Sequence, residues 1–459
     1  MTTTRTRSAA RRTADETARE VATRLADPAI VAAAVAASQE QSTLTDFVRW
    51  RPHTVAGGYA GIALLCGAAD ARWPGEGFDR AGHHHLATAT AAAEAAAYVD
   101  SSLHSGLAGL GYATHVLTGG RDRYRRLTAT VDAALLPRAE AAAERLEAAR
   151  GCGVGAFDLI SGLSGTAVHL LARRADPAVA RALRRVLAAL ANLLADRGEP
   201  RRWHTPAALS GESLRTAYPH GNHNCGLAHG IPGPLALLSV ALLDDAVDDD
   251  LVEAVGGAVA TAAGWLAAHR VELPEGADWP NAVGLPAPDG TPHEPDPCHP
   301  GRAAWCYGVA GVARALWLAG TALDHAGLDH AGLDDVGLDG QGHRELALRA
   351  VRAALARPPE QRYLTSPTVC HGTAGLLLVA VRFAADTGCP DLAASVDGLT
   401  ADLLGAYEPG SLLGFRDVEP GGVQVDQPAL LDGAPGVALA LMAAAGPEPP
   451  AWDRLFLLS

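Results

Sequence analysis

Two short segments place cysteines in the same setting, and their side chains are good metal donors. The segment WCYGVAG contains Cys306, and the segment VCHGTAG contains Cys370 followed by His371. Each cysteine stands two residues before a Gly-x-x-Gly pattern. Thiolate sulfur and imidazole nitrogen suit zinc better than magnesium or calcium, and three such ligands with a fourth position open make a catalytic zinc site. These three residues are therefore candidate zinc ligands.

Other interpretations of the cysteines and histidines stay open. A cysteine is commonly a small buried hydrophobe, and the zinc interpretation is favoured because both cysteines occupy equivalent positions of a repeat. Cys298 and His299, in a proline-rich loop, are an alternative ligand pair outside that register. The run 83–85 is expected on the surface, and the Asp- and His-rich segment 323–340 resembles a simple-sequence loop. The remaining cysteines have no obvious partner: Cys66, Cys152, Cys225 and Cys389.

The Gly-x-x-Gly pattern occurs seven times, and an unbroken apolar run follows each copy. The copies begin at Gly58, Gly106, Gly162, Gly230, Gly308, Gly372 and Gly433. An apolar run without a polar face predicts a helix that is buried all round. Amphipathic segments lie between the copies, and 176–197 is the clearest of them. Its Asp176 and Pro177 form a good helix cap and first-turn pair.

The alternation of buried and amphipathic helices predicts an all-α fold, an (α/α) toroid with seven helix pairs. Buried helices would form the inner ring and amphipathic helices the outer ring. An open solenoid is the alternative, but a solenoid needs polar capping repeats, and the seventh copy is as apolar as the middle ones. Glycine permits a tight turn with positive φ or a close approach of helix ends. The residues expected near the axis precede the glycine pairs: Gly57, Ser105, Ser161, His229, Tyr307, His371 and Asp432.

Composition excludes several classes of protein. The net charge of -14 argues against binding to nucleic acid or to anionic membranes, and no apolar run approaches the length of about 18 residues that spans a bilayer. Seven dispersed cysteines indicate a reducing cytoplasm and not a disulfide framework. The basic, Thr-rich N-terminus faintly resembles a transit peptide and lacks the apolar centre of a secretory signal. We expect residues 1–45 to be a polar tail and a first helix, and residues 46–459 to be one repeat domain.

Several motifs taken together resemble the lanthionine synthetase C-like proteins, the LanC cyclases. The resemblance covers 57–436 and rests on WCYGVAG, CHGTAG, AHGIPG and FDLISGLSG. It implies a seven-fold double ring of helices with zinc at the centre, bound by Cys306, Cys370 and His371. It also implies an acid/base histidine at His229, supported by Asp158.

The resemblance further places Arg302 four residues before the first zinc cysteine, and Tyr307 directly after it. LanC cyclases add cysteine thiols of a peptide to dehydroalanine or dehydrobutyrine, which gives lanthionine or methyllanthionine. The addition develops negative charge on an amide oxygen, and a cation such as Arg302 would stabilise it. An imidazole titrates near working pH, so His229 would supply or remove the proton. Tyr307 would donate a hydrogen bond or only pack.

Each of these residues also has a purely structural interpretation. Asp158 would cap a helix, Tyr307 would be a half-buried aromatic with a satisfied hydroxyl, and Arg302 would pair with a nearby carboxylate. Long irregular segments precede copies four and five, and loops of that length are usually functional. We expect them to form a peptide cleft, with His220 and His223 at its edge.

The resemblance implies a stand-alone, zinc-dependent lanthipeptide cyclase, and the Ala- and Arg-rich composition favours a bacterial source. Its substrate would be a dehydrated precursor peptide. A separate dehydratase would be its partner, because the chain has no room for a dehydratase domain, and a transient association with a membrane transporter complex is also expected. The alternatives are a protein that adds glutathione or another thiol, and a non-catalytic zinc scaffold that binds peptides. A toroidal glycosidase would need paired carboxylates, for which Asp158 and Asp432 are the inner candidates.

Overall fold

Each Gly-x-x-Gly copy is followed by a helix whose residues are almost all buried. The computed structural model describes residues 2–44, 50–294, 300–328 and 336–459. In that part of the chain the seven inner helices are α3 (Tyr59–Arg72), α5 (Leu107–Thr118), α7 (Leu163–Ala172), α10 (Pro232–Leu243), α12 (Val309–His325), α14 (Thr373–Thr387) and α16 (Ala434–Ala445). The repeat read from the sequence is therefore a structural repeat.

The remaining helices include the amphipathic ones expected between the copies. They are α1 (Thr2–Ala26), α2 (Pro28–Gln41), α4 (Phe78–Ala95), α6 (Arg125–Ala148), α8 (Pro177–Leu194), α9 (Glu212–Ala217), α11 (Val252–Ala268), α13 (Gly340–Ala356) and α15 (Pro390–Gly405). Helix α8 begins as predicted, because the Asp176 side chain accepts hydrogen bonds from the backbone N–H groups of Ala178 and Val179 and Pro177 fills the first turn. Its apolar face, which includes Leu183, is buried.

Six short strands form three antiparallel pairs in the described residues. The strands are β1 (Asn222–Asn224), β2 (Val271–Leu273), β3 (Gly276–Asp278), β4 (Ala282–Gly284), β5 (Asp417–Val418) and β6 (Gln424–Val425). Strand β1 pairs with β4 so that His223 lies opposite Val283. This pair joins the two long segments that precede the fourth and fifth copies.

The chain divides into two compact units. The first consists of Met1–Asp132 and Leu364–Asp453, and the second of Ala133–Tyr363 and Arg454–Ser459. In the first unit α14 packs on α16, α16 on α3, and α3 on α5, while α1, α4 and α15 cover them. The contact of α16 with α3 joins the seventh copy to the first. A closed arrangement requires such a contact, whereas an open solenoid would leave both ends exposed.

The second unit repeats the same packing with its own helices. Helix α7 packs on α10, and α10 packs on α12, while α8, α11 and α13 lie against them. Helix α11 and the short 3₁₀ turn directly before it, Asp249–Leu251, together form the stretch Asp249–Ala268. This stretch is long and apolar enough to cross a membrane, although we expected no such stretch. It is 67% buried and packs on α8, α10 and α12, as core helices do.

Two expectations about the periphery of the first unit were wrong. Residues 2–41 form two helices, where we expected a polar tail and a single helix. These helices, α1 and α2, pass the length and composition test for a membrane span only jointly, and they are bent by 88° at their junction. In the run 83–85, His83 and His84 are exposed, but His85 is fully buried and its Nε2 lies 3.0 Å from the carbonyl oxygen of Leu25.

Candidate active site and metal centre

The loop before each inner helix turns back so closely that only glycine fits at the helix start. At Gly230, Gly308, Gly372 and Gly433 a Cβ atom would meet the carbonyl oxygen of the residue six positions earlier. The sequence left two explanations open, positive φ or close approach. Close approach is the general reason, since most of these capping glycines have extended backbones. Gly308 is the exception, because its φ is 94°.

Backbone hydrogen bonds join the loops of neighbouring copies. The acceptor in each case is the carbonyl group two residues before a capping glycine. In the second unit Cys306 accepts from the N–H of Ala228, at 3.2 Å, and Ala228 accepts from the N–H of Leu159, also at 3.2 Å. In the first unit Leu431 accepts from the N–H groups of Val369 and Cys370, at 3.1 and 3.0 Å. These bonds fix the inner loops, and therefore the side chains that they carry, against one another within each unit.

The second unit brings His229 and Asp158 into direct contact. The Nδ1 atom of His229 lies 2.6 Å from Oδ2 of Asp158, whose side chain is fully buried. The other carboxylate oxygen accepts the backbone N–H groups of Ser161 and Gly162, both at 2.7 Å. Both interpretations of Asp158 therefore hold, since it caps the loop before α7 and also orients the histidine. The His229 side chain is 36% exposed, so a substrate can reach its ring.

Tyr307 lies next to His229, and its hydroxyl oxygen accepts one hydrogen bond. The two ring centroids are 6.3 Å apart, and the Nδ2 group of Asn224 donates a hydrogen bond to the tyrosine oxygen at 2.9 Å. Because the tyrosine oxygen is the acceptor in this bond, the hydroxyl proton of Tyr307 remains free to be donated in a hydrogen bond to another group. Burial raises the pKa of Tyr307 to about 12, so the phenol is a neutral donor at physiological pH.

Arg302 stands at the edge of a cavity beside Tyr307. The cavity has a volume of about 550 Å³. Arg302 itself is exposed, and among the described residues no carboxylate or carbonyl group pairs with its guanidinium group. The described residues therefore give no support to the interpretation in which it forms an ion pair. The other lining residues are mainly apolar or aromatic. Both long segments contribute, with Leu214 from the first and Trp279, Pro280 and Pro300 from the second, and Tyr363 comes from the segment before the sixth copy.

The first unit contains the candidate metal ligands Cys370 and His371, together with a carboxylate. One ligand atom from each of Cys370, His371 and Asp432 lies within 4.8 Å of the other two. Zinc bonds to sulfur and nitrogen are about 2.0–2.3 Å long, so donors at this spacing can share one ion. Their chemistry also fits zinc. Cys306 belongs to the second unit, where it is 6% exposed in the loop before α12, and its role as a third ligand stays a prediction.

Three other cysteines, Cys66, Cys152 and Cys225, are buried and are poor candidates for metal binding or catalysis. Burial raises the pKa of Cys66 and of Cys225 to about 12, and that of Cys152 to about 11. Metals and electrophiles react with the thiolate, and these thiols stay protonated. The alternative ligand pair Cys298 and His299 lies outside the described residues.

Sequence reasoning missed two polar residues and misplaced a third. Asp432 was expected near the axis, directly before a glycine pair, but was not predicted to bind the metal, because a single carboxylate at that position does not by itself indicate metal binding. Asn224 was missed, although it lies in the polar run HGNHNCG before the fourth copy. His223 was expected at the edge of the cleft but is 4% exposed and packed against Trp203 and Trp265, whereas His220 is exposed.

The fold and the site define a class of protein: repeated helix pairs whose inner loops carry a His–Asp pair in one unit and, in the other, a Cys–His–Asp group that could hold a metal ion. The chain belongs to the lanthionine synthetase C-like protein family, whose sequence model matches residues 49–457. It is also similar to the solved structure of a nisin cyclase, with 18% sequence identity and a TM-score of 0.71 over 94% of this chain and 98% of that one. The predicted all-α toroid fold is thereby confirmed. A search of curated proteins finds no significant match.

Proposed function

We propose that this protein is a zinc-dependent lanthipeptide cyclase. It would add cysteine thiols of a dehydrated precursor peptide to dehydroalanine or dehydrobutyrine, and so form lanthionine or methyllanthionine rings. The observation that carries the proposal is the convergence of Cys370 and His371 in one donor group, in a member of the lanthionine synthetase C-like family. A cyclase among the structural relatives supports it.

Cys370 and His371 would hold the zinc ion together with Cys306. The chemistry that a bound zinc ion supplies is deprotonation of the peptide thiol, whose pKa of about 8.5 otherwise leaves little thiolate at neutral pH. The residues of the chain must then bind the peptide, stabilise the charge that develops on it, and move a proton.

His229 is the group placed to move that proton. Its Nδ1 is bound to the buried carboxylate of Asp158, so the proton on Nδ1 stays there and Nε2 is the reactive nitrogen. His229 therefore accepts a proton at Nε2 and donates it from the same atom to the α-carbon of the product.

Arg302 and Tyr307 would act on the peptide itself. As the new carbon–sulfur bond forms, negative charge moves to the amide oxygen of the dehydro residue. The exposed guanidinium group of Arg302 would stabilise that oxygen, and the neutral hydroxyl of Tyr307 would donate a hydrogen bond. The apolar cavity beside them would bind the neighbouring side chains of the peptide.

The alternatives differ in what they require. A non-catalytic zinc scaffold has no use for a buried carboxylate that orients a reachable histidine, so the His229–Asp158 contact favours an enzyme. A protein that adds glutathione would use the same groups with a small thiol. A glycosidase is disfavoured, because the carboxylate of Asp158 already binds His229 and two backbone N–H groups. The cytoplasmic location, the separate dehydratase and the membrane transporter complex remain part of the proposal.

The test is to incubate the purified protein with zinc and a dehydrated peptide that contains cysteine, and to follow the loss of peptide thiol. We expect ring formation by the unmodified protein and loss of activity in both Cys370→Ala and His229→Gln. A parallel reaction supplies glutathione and a dehydrated peptide without cysteine. Glutathione adduct formation in place of rings would establish the thiol-addition alternative, and no thiol loss in either reaction would establish the scaffold.

A further inference from the structure

We propose that Asp432 is a ligand of the same metal ion as Cys370 and His371, so that the first unit alone supplies three donors. This inference rests on the proposed zinc dependence and goes beyond it, because it adds a carboxylate to the two cysteines and one histidine expected from the sequence. It concerns a residue of the seventh copy, which the proposed reaction does not otherwise use.

The distances support direct binding to one ion. The Oδ1 atom of Asp432 lies 3.7 Å from Nδ1 of His371, and the ligand atoms of Cys370, His371 and Asp432 all lie within 4.8 Å of one another. Two donors on one zinc ion are each about 2.0–2.3 Å from it, and the observed spacings therefore need only small side-chain movements.

The backbone holds Asp432 in this place. The carbonyl group of Leu431, directly before Asp432, accepts the N–H groups of Val369 and Cys370. Helix α16 also approaches the loop before α14 closely, since a Cβ on Gly436 would lie 2.7 Å from the side chain of Val369. The neighbouring loops are thus fixed to each other on both sides of the donor group.

The charges of the donors also favour a shared divalent ion. Within the first unit, the thiolate of Cys370 and the carboxylate of Asp432 bring two negative charges to a divalent ion, with His371 as a neutral ligand, and the Cys306 thiolate proposed above would add a third. The Asp432 side chain is 27% exposed, so the ion would remain accessible from solvent. Of the three donors the carboxylate is the hardest, and a peptide thiolate would therefore replace Asp432 in preference to Cys370 or His371.

The experiment measures zinc affinity by competition with a chromophoric chelator, and the spectrum of the cobalt-substituted protein. We expect Asp432→Asn to bind zinc at least roughly 10- to 100-fold more weakly than the unmodified protein, because the loss of groups that only orient a ligand already costs that much. Its d–d cobalt bands should change while the thiolate-to-cobalt band remains. Asp432→Glu keeps the carboxylate and should restore most of the affinity, which also shows that the loop tolerates substitution.

A matched control removes one negative charge from the other end of the same helix. Glu448 follows α16 and is exposed, and the 12 residues of α16 separate it from Asp432 by roughly 18 Å. We expect Glu448→Gln to bind zinc as the unmodified protein does. Equal affinities and equal cobalt spectra for Asp432→Asn and the unmodified protein would overturn this inference alone. Failure of the unmodified protein to bind zinc would overturn the proposed zinc dependence as well.

Discussion

One carboxylate, that of Asp158, binds His229 through one oxygen and the loop before α7 through the other. The Oδ2 atom lies 2.6 Å from His229 Nδ1, and Oδ1 accepts two backbone N–H groups. The contact joins the third and fourth copies of the repeat within the second unit. Because Asp158 is fully buried, the same residue fixes the conformation of one loop and the orientation of the histidine on the next.

Replacing Asp158 with asparagine should separate these two roles. An asparagine oxygen can still accept the N–H groups of Ser161 and Gly162, so we expect the stability to change little. With that oxygen kept on the loop, the NH2 group of asparagine faces Nδ1 of His229 and donates to it, which puts the ring proton on Nε2. His229 is then held in the wrong tautomer, and the cyclisation rate should fall roughly 10²- to 10⁴-fold. Rates of thiol loss and chemical denaturation curves provide the two measurements.

Asp158→Ala is the matched control for the loop. It leaves the buried N–H group of Gly162 and the part-buried N–H group of Ser161 without their acceptor. The buried group alone is worth about 1–3 kcal/mol, so the variant should lower the free energy of unfolding as well as the rate. A wild-type rate in Asp158→Asn would show that His229 does not depend on this carboxylate.

Tyr307→Phe tests whether the hydroxyl acts as a neutral donor. Burial raises the pKa of Tyr307 to about 12, so the hydroxyl stays protonated up to about pH 10 and should contribute no alkaline limb to the pH–rate profile. We expect the variant to lose roughly tenfold in rate, the value of one modest hydrogen bond in the transition state, with an unchanged profile shape between pH 6 and 10. An alkaline limb that disappears in Tyr307→Phe would show instead that the phenolate takes part.

The sequence predicted the parts of this molecule that depend on local pattern and periodicity. The inner helices follow their glycine pairs, because an apolar run with no polar face has to be buried on all sides. The helix cap at Asp176 and the position of His229 directly before Gly230 were predicted from the same alternation of glycine pairs and helices. The contacts that could not be predicted depend on the geometry of side chains from segments that are distant in sequence. The Asn224–Tyr307 hydrogen bond and the approach of Asp432 to His371 arise only when neighbouring loops pack against each other. Likewise, nothing in the sequence of the run 83–85 indicates that His85 is buried while the other two histidines are exposed.

The buried His223 should make the second unit sensitive to acid. Burial lowers the pKa of His223 to about 3, helped by the nearby His204, His269 and Arg201. The unfolded chain takes up a proton near pH 6.5 and the folded chain does not, so stability present above pH 6.5 is lost as the pH falls towards 3. Each pH unit in that range costs up to about 1.4 kcal/mol. Denaturation followed by tryptophan fluorescence at pH 7 and pH 5 measures the loss, since Trp203 and Trp265 surround the residue.

The control for this pH dependence is His223→Phe, which keeps an aromatic ring and removes the titrating group. The Nε2 atom of His223 has no hydrogen-bond partner among the described residues, so the replacement loses no bond at that atom. We expect the stability difference between pH 7 and pH 5 to shrink by roughly 2 kcal/mol in the variant. An unchanged difference would assign the acid sensitivity to other groups, of which His85 in the first unit, with a pKa lowered to about 4 by burial, is the first to examine.

Gly308 should be the glycine least tolerant of substitution. Its φ of 94° and ψ of -167° lie in a region that only glycine adopts readily, and a Cβ there would collide with the carbonyl oxygen of Arg302. Gly308→Ala should lower the free energy of unfolding by about 3 kcal/mol or more and also reduce activity, because Cys306 and Tyr307 precede it directly. Gly75→Ala is the matched control: φ is 86° but nothing lies within 4 Å of the added carbon. It should cost only about 1–2 kcal/mol of strain and leave the cyclisation rate unchanged. Equal losses of stability in the two variants would mean that the loop before α12 can move away from the new methyl group, and that its close approach to Gly308 does not position the site.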